Sequence, residues 1–193
     1  MNASTTGFPA DRISFWVANW QLESGEVPEI IRGATYELPL CFRWIAEPSP
    51  SSGPHHLRTP QDSGDFEVRG QHHMTKSAEY LVVDGVPQPL LGDSWDPDPR
   101  WTLPPIAQVT GTIVFEIPAG WADGWDDWTR GAPLPWPLFK VEVERLRMGY
   151  ATATRRHKMD EPVAKSGLSP RNDFLVDARI LNIQVEPAVP VFN

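Results

Sequence analysis

Apolar side chains recur at every second position in several stretches of the chain, and this two-residue period predicts β-strands. In residues 12–22, RISFWVANWQL, Ile13, Phe15 and Val17 share one face, and Trp16 and Trp20 lie on the other. The enrichment in aromatic and β-branched residues favours an extended strand. We therefore expect a strand along the whole of this segment, with both faces partly covered.

Two further segments show the same alternation. Residues 34–45 carry one apolar face, which consists of Tyr36, Leu38, Leu40, Phe42 and Trp44. Pro39 lies within this segment and predicts an edge position or a bulge, because proline has no N–H to donate. Residues 107–118 form the strongest predicted strand, whose inward side is Val109, Gly111, Ile113, Phe115 and Ile117. A glycine inside a strand, as at Gly111, is typical of a bulge or a tight bend.

The alternation changes phase by one position in two long segments near the end of the chain. In the first, the apolar positions pass from Val143 to Leu146, so that the shift falls at Arg145. In the second, Phe174 and Val176 are followed by a shifted set: Leu181, Ile183 and Val185. A shift of one position is what a β-bulge produces.

These patterns predict an all-β single domain over residues 1–193 with little helix. Bent strands marked by glycine favour a small β-barrel of six to eight strands, with a β-sandwich as the alternative. The 21 prolines and 14 glycines indicate that ordered, proline-rich loops connect the strands. Residues 46–64 and 155–172 lose the apolar period and are predicted to be flexible loops.

The segment FWVANWQLESGEVPEIIRGATYELPL, residues 15–40, resembles the N-terminal region of a family of small actinobacterial proteins that is described only as a domain of unknown function. The later stretch VTGTIVFEI, residues 109–117, resembles a strand of the same family. The resemblance implies no chemistry and supplies no catalytic residues.

The charge of the chain narrows the classes of partner. A net charge of −8 disfavours nucleic acid and anionic membrane surfaces, both of which attract clustered Lys and Arg. The sequence lacks a signal-peptide pattern and a long apolar run, so we expect a cytoplasmic protein. Cys41 is the one cysteine, and its apolar neighbours favour a structural role over that of a nucleophile.

The histidines do not predict a metal site. His55–His56 and His72–His73 are adjacent pairs, and neighbouring residues of a strand point to opposite faces, so only one histidine of each pair can join a shared site. The spacing matches no metal-ligand motif, and no nucleotide-binding or catalytic motif is present. We therefore expect neither a metal nor a cofactor.

The stretch GWADGWDDWTRG, residues 120–131, interleaves tryptophans with aspartates, and we call it the Trp/Asp loop. Three interpretations stay open: the indoles fold back over the end of the barrel, the loop lines a ligand pocket, or the loop docks a protein partner. A second Trp-bearing loop lies within the proline-rich stretch of residues 86–105. The candidate binding residues are Trp95, Trp101, Trp121, Asp123, Trp125, Asp126, Trp128 and Trp136.

The function that these features favour is non-enzymatic binding of a protein partner or small molecule by the two Trp-bearing loops, residues 95–101 and 121–136. An immunity-type inhibitor that neutralises a basic toxin domain is one concrete form. The alternative is a cofactor-free enzyme of the cyclase or isomerase type, with its active site in the barrel interior, because such catalysts leave no sequence motif. A cavity lined by Trp and Tyr would favour the enzyme, and a core filled with side chains would favour the binding protein.

The variant Trp125→Ala separates the interpretations of the Trp/Asp loop. If the indole covers the end of the barrel, thermal denaturation followed by circular dichroism shows a lower melting temperature. A variant that keeps its melting temperature but loses binding excludes that structural role.

Overall fold

The computed structural model describes residues 11–25, 27–58, 64–74, 79–90, 106–117, 137–151, 157–163 and 173–185. This part of the chain is mostly strand. The strands are β1 (Arg12–Val17), β2 (Thr35–Pro39), β3 (Cys41–Trp44), β4 (Ser49–Pro50), β5 (His56–Arg58), β6 (Phe66–Met74), β7 (Glu79–Val83), β8 (Val86–Pro89), β9 (Ile106–Glu116), β10 (Pro137–Ala151), β11 (His157–Val163) and β12 (Asp173–Val185). One short helix, α1 (Asn19–Glu23), follows β1.

All twelve strands belong to one hydrogen-bonded sheet. Its main order is β11-β10-β12-β1-β9-β6-β7-β8, while β2 pairs with β10, β3 and β4 pair with β9, and β5 pairs with β6. Neighbours are antiparallel except for β1 and β9, which are parallel. The sheet curls strongly into a half-barrel, so the predicted all-β class is confirmed. Closure into a single barrel stays a prediction.

The concave face of the curled sheet carries the hydrophobic core, and Phe115 of β9 lies at its centre. The Phe115 ring packs edge-to-face against Phe42, Phe66 and Phe139, with centroid separations of 4.5, 4.9 and 6.2 Å. Edge-to-face pairs add about 0.5–1.5 kcal/mol each beyond the area that they bury. All four rings are fully buried, so side chains fill the middle of the concave face.

The predicted phase shift in β10 is confirmed. The register against β12 shifts between Val143 and Arg145, which leaves Val143 and Leu146 both buried in the core. The bulged residue is Glu144, whose carboxylate pairs with Arg12 at the surface.

The second predicted shift is real, but its inward residues differ from those expected. In β12 the partners of Val141 and Lys140 are Ile180 and Asn182, so Leu181 is the extra residue of the bulge. Leu181 is 44% exposed, whereas Ile183 packs against the core. The prediction that Leu181 faces inward is wrong, because the shift occurs at this residue rather than before it.

The first predicted strand is shorter than expected. β1 ends at Val17, and the chain turns into α1 instead of continuing along the sheet. The side chain of Gln21 holds this turn: its Oε1 accepts a hydrogen bond from the Ala18 N–H at 3.1 Å. The predicted inward face of the strand, Ile13, Phe15 and Val17, is confirmed in the core.

Gly111 does not mark a bulge. β9 keeps an unbroken register with β6 on both sides of this residue. A Cβ atom at Gly111 would lie 2.7 Å from Cζ3 of Trp44, so the glycine allows the indole ring to lie against the strand. The close approach of the ring, rather than a bend, requires glycine here.

The segments for which the sequence predicts loops contain short strands. β4 and β5 lie within residues 46–64, and β11 lies within 155–172. Each pairs antiparallel with a longer strand, respectively β9, β6 and β10. Backbone hydrogen bonds to a neighbour form these strands without an apolar period, which the sequence pattern alone does not reveal.

The convex face carries a second, smaller apolar cluster of Trp16, Val114 and Leu175. Beside it Arg147, only 4% exposed, donates a hydrogen bond from Nη2 to Oδ1 of Asp177 at 2.8 Å. The Ser14 hydroxyl donates to the same oxygen at 2.7 Å. The buried guanidinium of Arg147 is thus paired with the carboxylate of Asp177. A buried charge without a partner of opposite charge would be strongly destabilising.

Two leucines near the bulges, Leu146 in β10 and Leu181 in β12, provide a matched test of the register. Leu146→Ala removes a buried side chain and is expected to lower the free energy of unfolding by about 2–5 kcal/mol. Leu181→Ala trims an exposed side chain and is expected to cost about 0.5 kcal/mol or less. Urea denaturation measures both, and equal losses would contradict the bulge at Leu181.

Candidate functional site

The chain passes from β2 to β3 at Pro39–Phe42, and we call this segment the junction. Pro39 lies opposite Leu138 at the start of β10, and Cys41 lies opposite Glu116 at the end of β9. Only Leu40 separates these two pairs along the chain. The end of β9 and the start of β10 therefore both flank the junction, and residues 118–136, which contain the Trp/Asp loop, connect them.

The second Trp-bearing segment also starts at the junction. Leu90, which follows β8, forms a parallel bridge with Phe42. Residues 91–105 continue from this point to Ile106, which pairs with His73 at the opposite end of β9. Strand pairing thus brings the starts of both Trp-bearing segments to one part of the sheet.

The helix α1 is fastened beside the end of β9. Gln21, 2% exposed, donates from Nε2 to the carbonyl oxygen of Ile117 at 2.9 Å. The backbone N–H of Asn19 donates to Oδ1 of Asp173 at 3.0 Å, and the Asn19 side chain donates to Glu23 at 2.8 Å. The side chain of Gln21 and the backbone N–H of Asn19 thus fix this one-turn helix to the sheet.

Trp20 lies on the opposite side of α1 and is 48% exposed, the largest exposed fraction among the exposed large hydrophobic side chains of the described residues. Its backbone is held on both sides by the bonds of Asn19 and Gln21. An exposed indole on an anchored helix is typical of a contact surface, because it can bury a large area at low cost in side-chain entropy. We call this region, with Trp20, Leu90, Ile117 and Pro137 around the junction, the junction end.

The polar groups at the junction are paired with one another. Arg43 forms an ion pair with Glu116 on the convex face, where both side chains are about one quarter exposed or less. The Cys41 thiol donates to the carbonyl oxygen of Glu116 at 3.1 Å. Burial raises the pKa of the Cys41 thiol well above its usual value of 9.0, and the Glu116 carboxylate raises it further, against a smaller lowering by Arg43. A neutral, buried thiol is a poor nucleophile.

The candidate binding residues of the two Trp-bearing loops lie outside the described residues. They are Trp95, Trp101, Trp121, Asp123, Trp125, Asp126, Trp128 and Trp136. The structure describes only the strand ends from which the loops start.

The exposure of Trp20 was not predicted, because a strand along residues 12–22 would place its side chain on a partly covered face. The polar pair Asn19 and Gln21 next to it, followed by Ser24-Gly25, is the signal that could have indicated a turn.

The histidine pair of β6 behaves as the strand geometry predicts. His72 is fully buried, while His73 is half-buried on the opposite face beside Tyr80. Among the described residues, no group of three His, Cys, Asp or Glu side chains is arranged to hold a metal ion.

Comparison of the chain with protein-family models, curated proteins and solved structures gave no match. The resemblance of residues 15–40 to an actinobacterial family therefore stays a prediction. Within the described ranges, α1 is far too short to cross a membrane, and no other helix there is long and apolar enough to do so. The expected cytoplasmic location also stays a prediction.

The raised pKa of Cys41 leads to a test of the junction. The folded state favours the protonated thiol, so this contribution to stability is present below the unfolded pKa near 9 and is lost as the pH rises through the folded value. Above about pH 9 the melting temperature of the wild type should fall more steeply than that of Cys41→Ala.

At pH 8 the native thiol of Cys41 should react with a disulfide reagent only as fast as the protein unfolds. Immediate labelling without denaturant would contradict its burial.

Proposed function

We propose that the protein is a non-enzymatic binding protein and that the junction end is its binding surface for a protein partner. The observation that carries this proposal is the meeting, at the junction, of the starts of both Trp-bearing segments beside the exposed indole of Trp20. Tryptophan is enriched among the residues that dominate binding energy at protein interfaces. A surface that combines Trp20 with the indoles of the two loops provides several such anchors.

The charge of this end favours a basic partner. Glu23 is exposed on α1 next to Trp20, and Asp123 and Asp126 belong to the Trp/Asp loop. Net charge of −8 adds a negative field around the molecule. Complementary charge steers association and selects among partners, so a basic protein associates faster than a neutral one. An immunity-type inhibitor of a basic toxin domain is the concrete form of this function.

The filled core supports binding over catalysis. Phe42, Phe66, Phe115 and Phe139 occupy the middle of the concave face, where the alternative enzyme would need space for its substrate. At the junction the Cys41 thiol is buried and protonated, and Arg43 is neutralised by Glu116. These groups supply structure rather than a reactive nucleophile or base.

We further propose that the curled sheet closes into a single barrel through the junction. On one side the strands run β10-β12-β1-β9. On the other side β2 pairs with β10 and β3 pairs with β9, with only Leu40 between them. A bent strand that pairs with both ends of a four-strand path is how a small barrel removes its edges.

The variant Trp20→Ala tests the binding surface. The immobilised protein is exposed to a lysate of the cells that naturally make it, and retained proteins are identified by mass spectrometry. We expect a basic protein that is released by raised salt, because screening weakens charge steering and ion pairs. Trp20→Ala should weaken its binding by about 30-fold or more, the effect of losing about 2 kcal/mol, with little change in melting temperature.

Ile45→Ala is the matched control, because Ile45 is also an exposed apolar side chain, 39% accessible, but follows β3 away from the junction. It should retain the partner with wild-type affinity. Equal retention by wild type, Trp20→Ala and a variant with Trp121, Trp125 and Trp128 all replaced by Ala would exclude the junction end as the surface. Co-purification of a metabolite with turnover in its presence would favour the enzyme.

A further inference from the structure

One row of side chains crosses the concave face away from the aromatic centre. Successive residue pairs place Ala107 opposite His72, His72 opposite Leu81, and Leu81 opposite Gln88. Opposite residues of antiparallel strands point to the same face. Leu81 belongs to the core, so His72 and Gln88, which flank it, also point inward. Both are fully buried.

Gln88 has no hydrogen-bond partner for either end of its amide. Its side chain is 0% exposed, and neither Nε2 nor Oε1 forms a hydrogen bond. A buried amide without partners is unfavourable, because it gives up its bonds to water and receives none in return. Leucine or methionine at this position would avoid that cost. A bound molecule that offers an acceptor to Nε2 and a donor to Oε1 would explain why this position is a glutamine.

The surroundings of Gln88 define the chemistry of that group. Its neighbours on the same face of the chain, Val86 and Leu90, are apolar and buried. Strand β8 also lies close to β3 and β10. A charged ligand would be strongly disfavoured in such a setting, and an apolar one would leave the amide unsatisfied. An uncharged molecule with an adjacent N–H and C=O satisfies both ends of the amide through a pair of parallel hydrogen bonds.

We propose that Gln88 is the recognition residue of a second, internal binding site for a small uncharged ligand that carries an amide or lactam edge on an apolar body. Gln88 donates to the ligand carbonyl from Nε2 and accepts from the ligand N–H at Oε1. The apolar side chains Val86, Leu90 and Leu81 contact the body of the ligand. This site goes beyond the proposed binding of a protein partner and does not depend on it.

The probe is δ-valerolactam, with cyclohexanone as its matched analogue that keeps the ring and the carbonyl but lacks the N–H. Binding is followed by NMR at the side-chain amide resonances of Gln88 in the full-length protein. We expect the lactam to shift these resonances and to raise the melting temperature with increasing concentration. Cyclohexanone should bind about tenfold more weakly or worse, because it leaves Oε1 without a donor.

Two variants separate recognition from structure. Gln88→Met keeps the length of the side chain and removes the amide, so it should lose lactam binding while the melting temperature stays equal or rises. Gln71→Leu changes an exposed glutamine on the other face of β6 and should bind the lactam as the wild type does. If Gln88→Met does not fold, Gln88→Leu, which also removes both the donor and the acceptor, replaces it and should also lose binding.

Three results would overturn the proposal. The first is a lactam that leaves the Gln88 resonances unmoved, and the second is undiminished binding to Gln88→Met. The third is a long-lived water, detected by its cross-relaxation with the Gln88 amide protons, that persists at saturating lactam. Each result concerns the internal site alone, so retention of a basic protein by the junction end is decided separately.

Discussion

The edge-to-face packing around Phe115 is the contact on which the rest of the structure depends. Phe42 on β3 and Phe66 on β6 belong to strands that pair directly with β9, the strand of Phe115, whereas Phe139 lies on β10, which is separated from β9 by β12 and β1. The contact between Phe115 and Phe139 therefore joins two strands that are not neighbours in the main order of the sheet. A sheet that is fastened across its concave face must curl. The curl then carries β2 and β3 to β10 and β9, and the junction is its consequence.

The bulges are the second requirement of this curl. A regular strand with a strict two-residue period would keep its apolar face in one plane. The extra residues at Glu144 and Leu181 bend β10 and β12 and move one side chain of each strand to the surface. On the convex face Arg147, Asp177 and Ser14 hold the same strands together by charge and hydrogen bonds. Apolar packing inside and a paired charge outside thus stabilise the same bend.

The candidate site was predictable only in part. The sequence indicated that the Trp-bearing segments are the distinctive feature of the candidate site, since interleaved indoles and carboxylates are unusual in a short stretch. It did not indicate that the segments at 91–105 and 118–136 start beside one another, because that follows from the pairings of Phe42, Cys41 and Pro39. Trp20 was assigned to a strand, since its spacing from Trp16 fits a strand as well as a turn. The isolated amide of Gln88 could not be predicted, because the sequence of β8, VPQP, does not reveal which face is buried.

The sequence by itself determined the all-β class, the inward faces of β1, β3 and β9, and the presence of a register shift in β10. These features depend on the local alternation of apolar and polar residues, which is a property of neighbours in the chain. The tertiary structure alone decided where β1 ends, which leucine leaves the core, why Gly111 is glycine and which strand ends meet at the junction. Those features depend on contacts between residues distant in sequence, such as Gln21 with Ile117 and Trp44 with Gly111, and local periodicity carries no information about them.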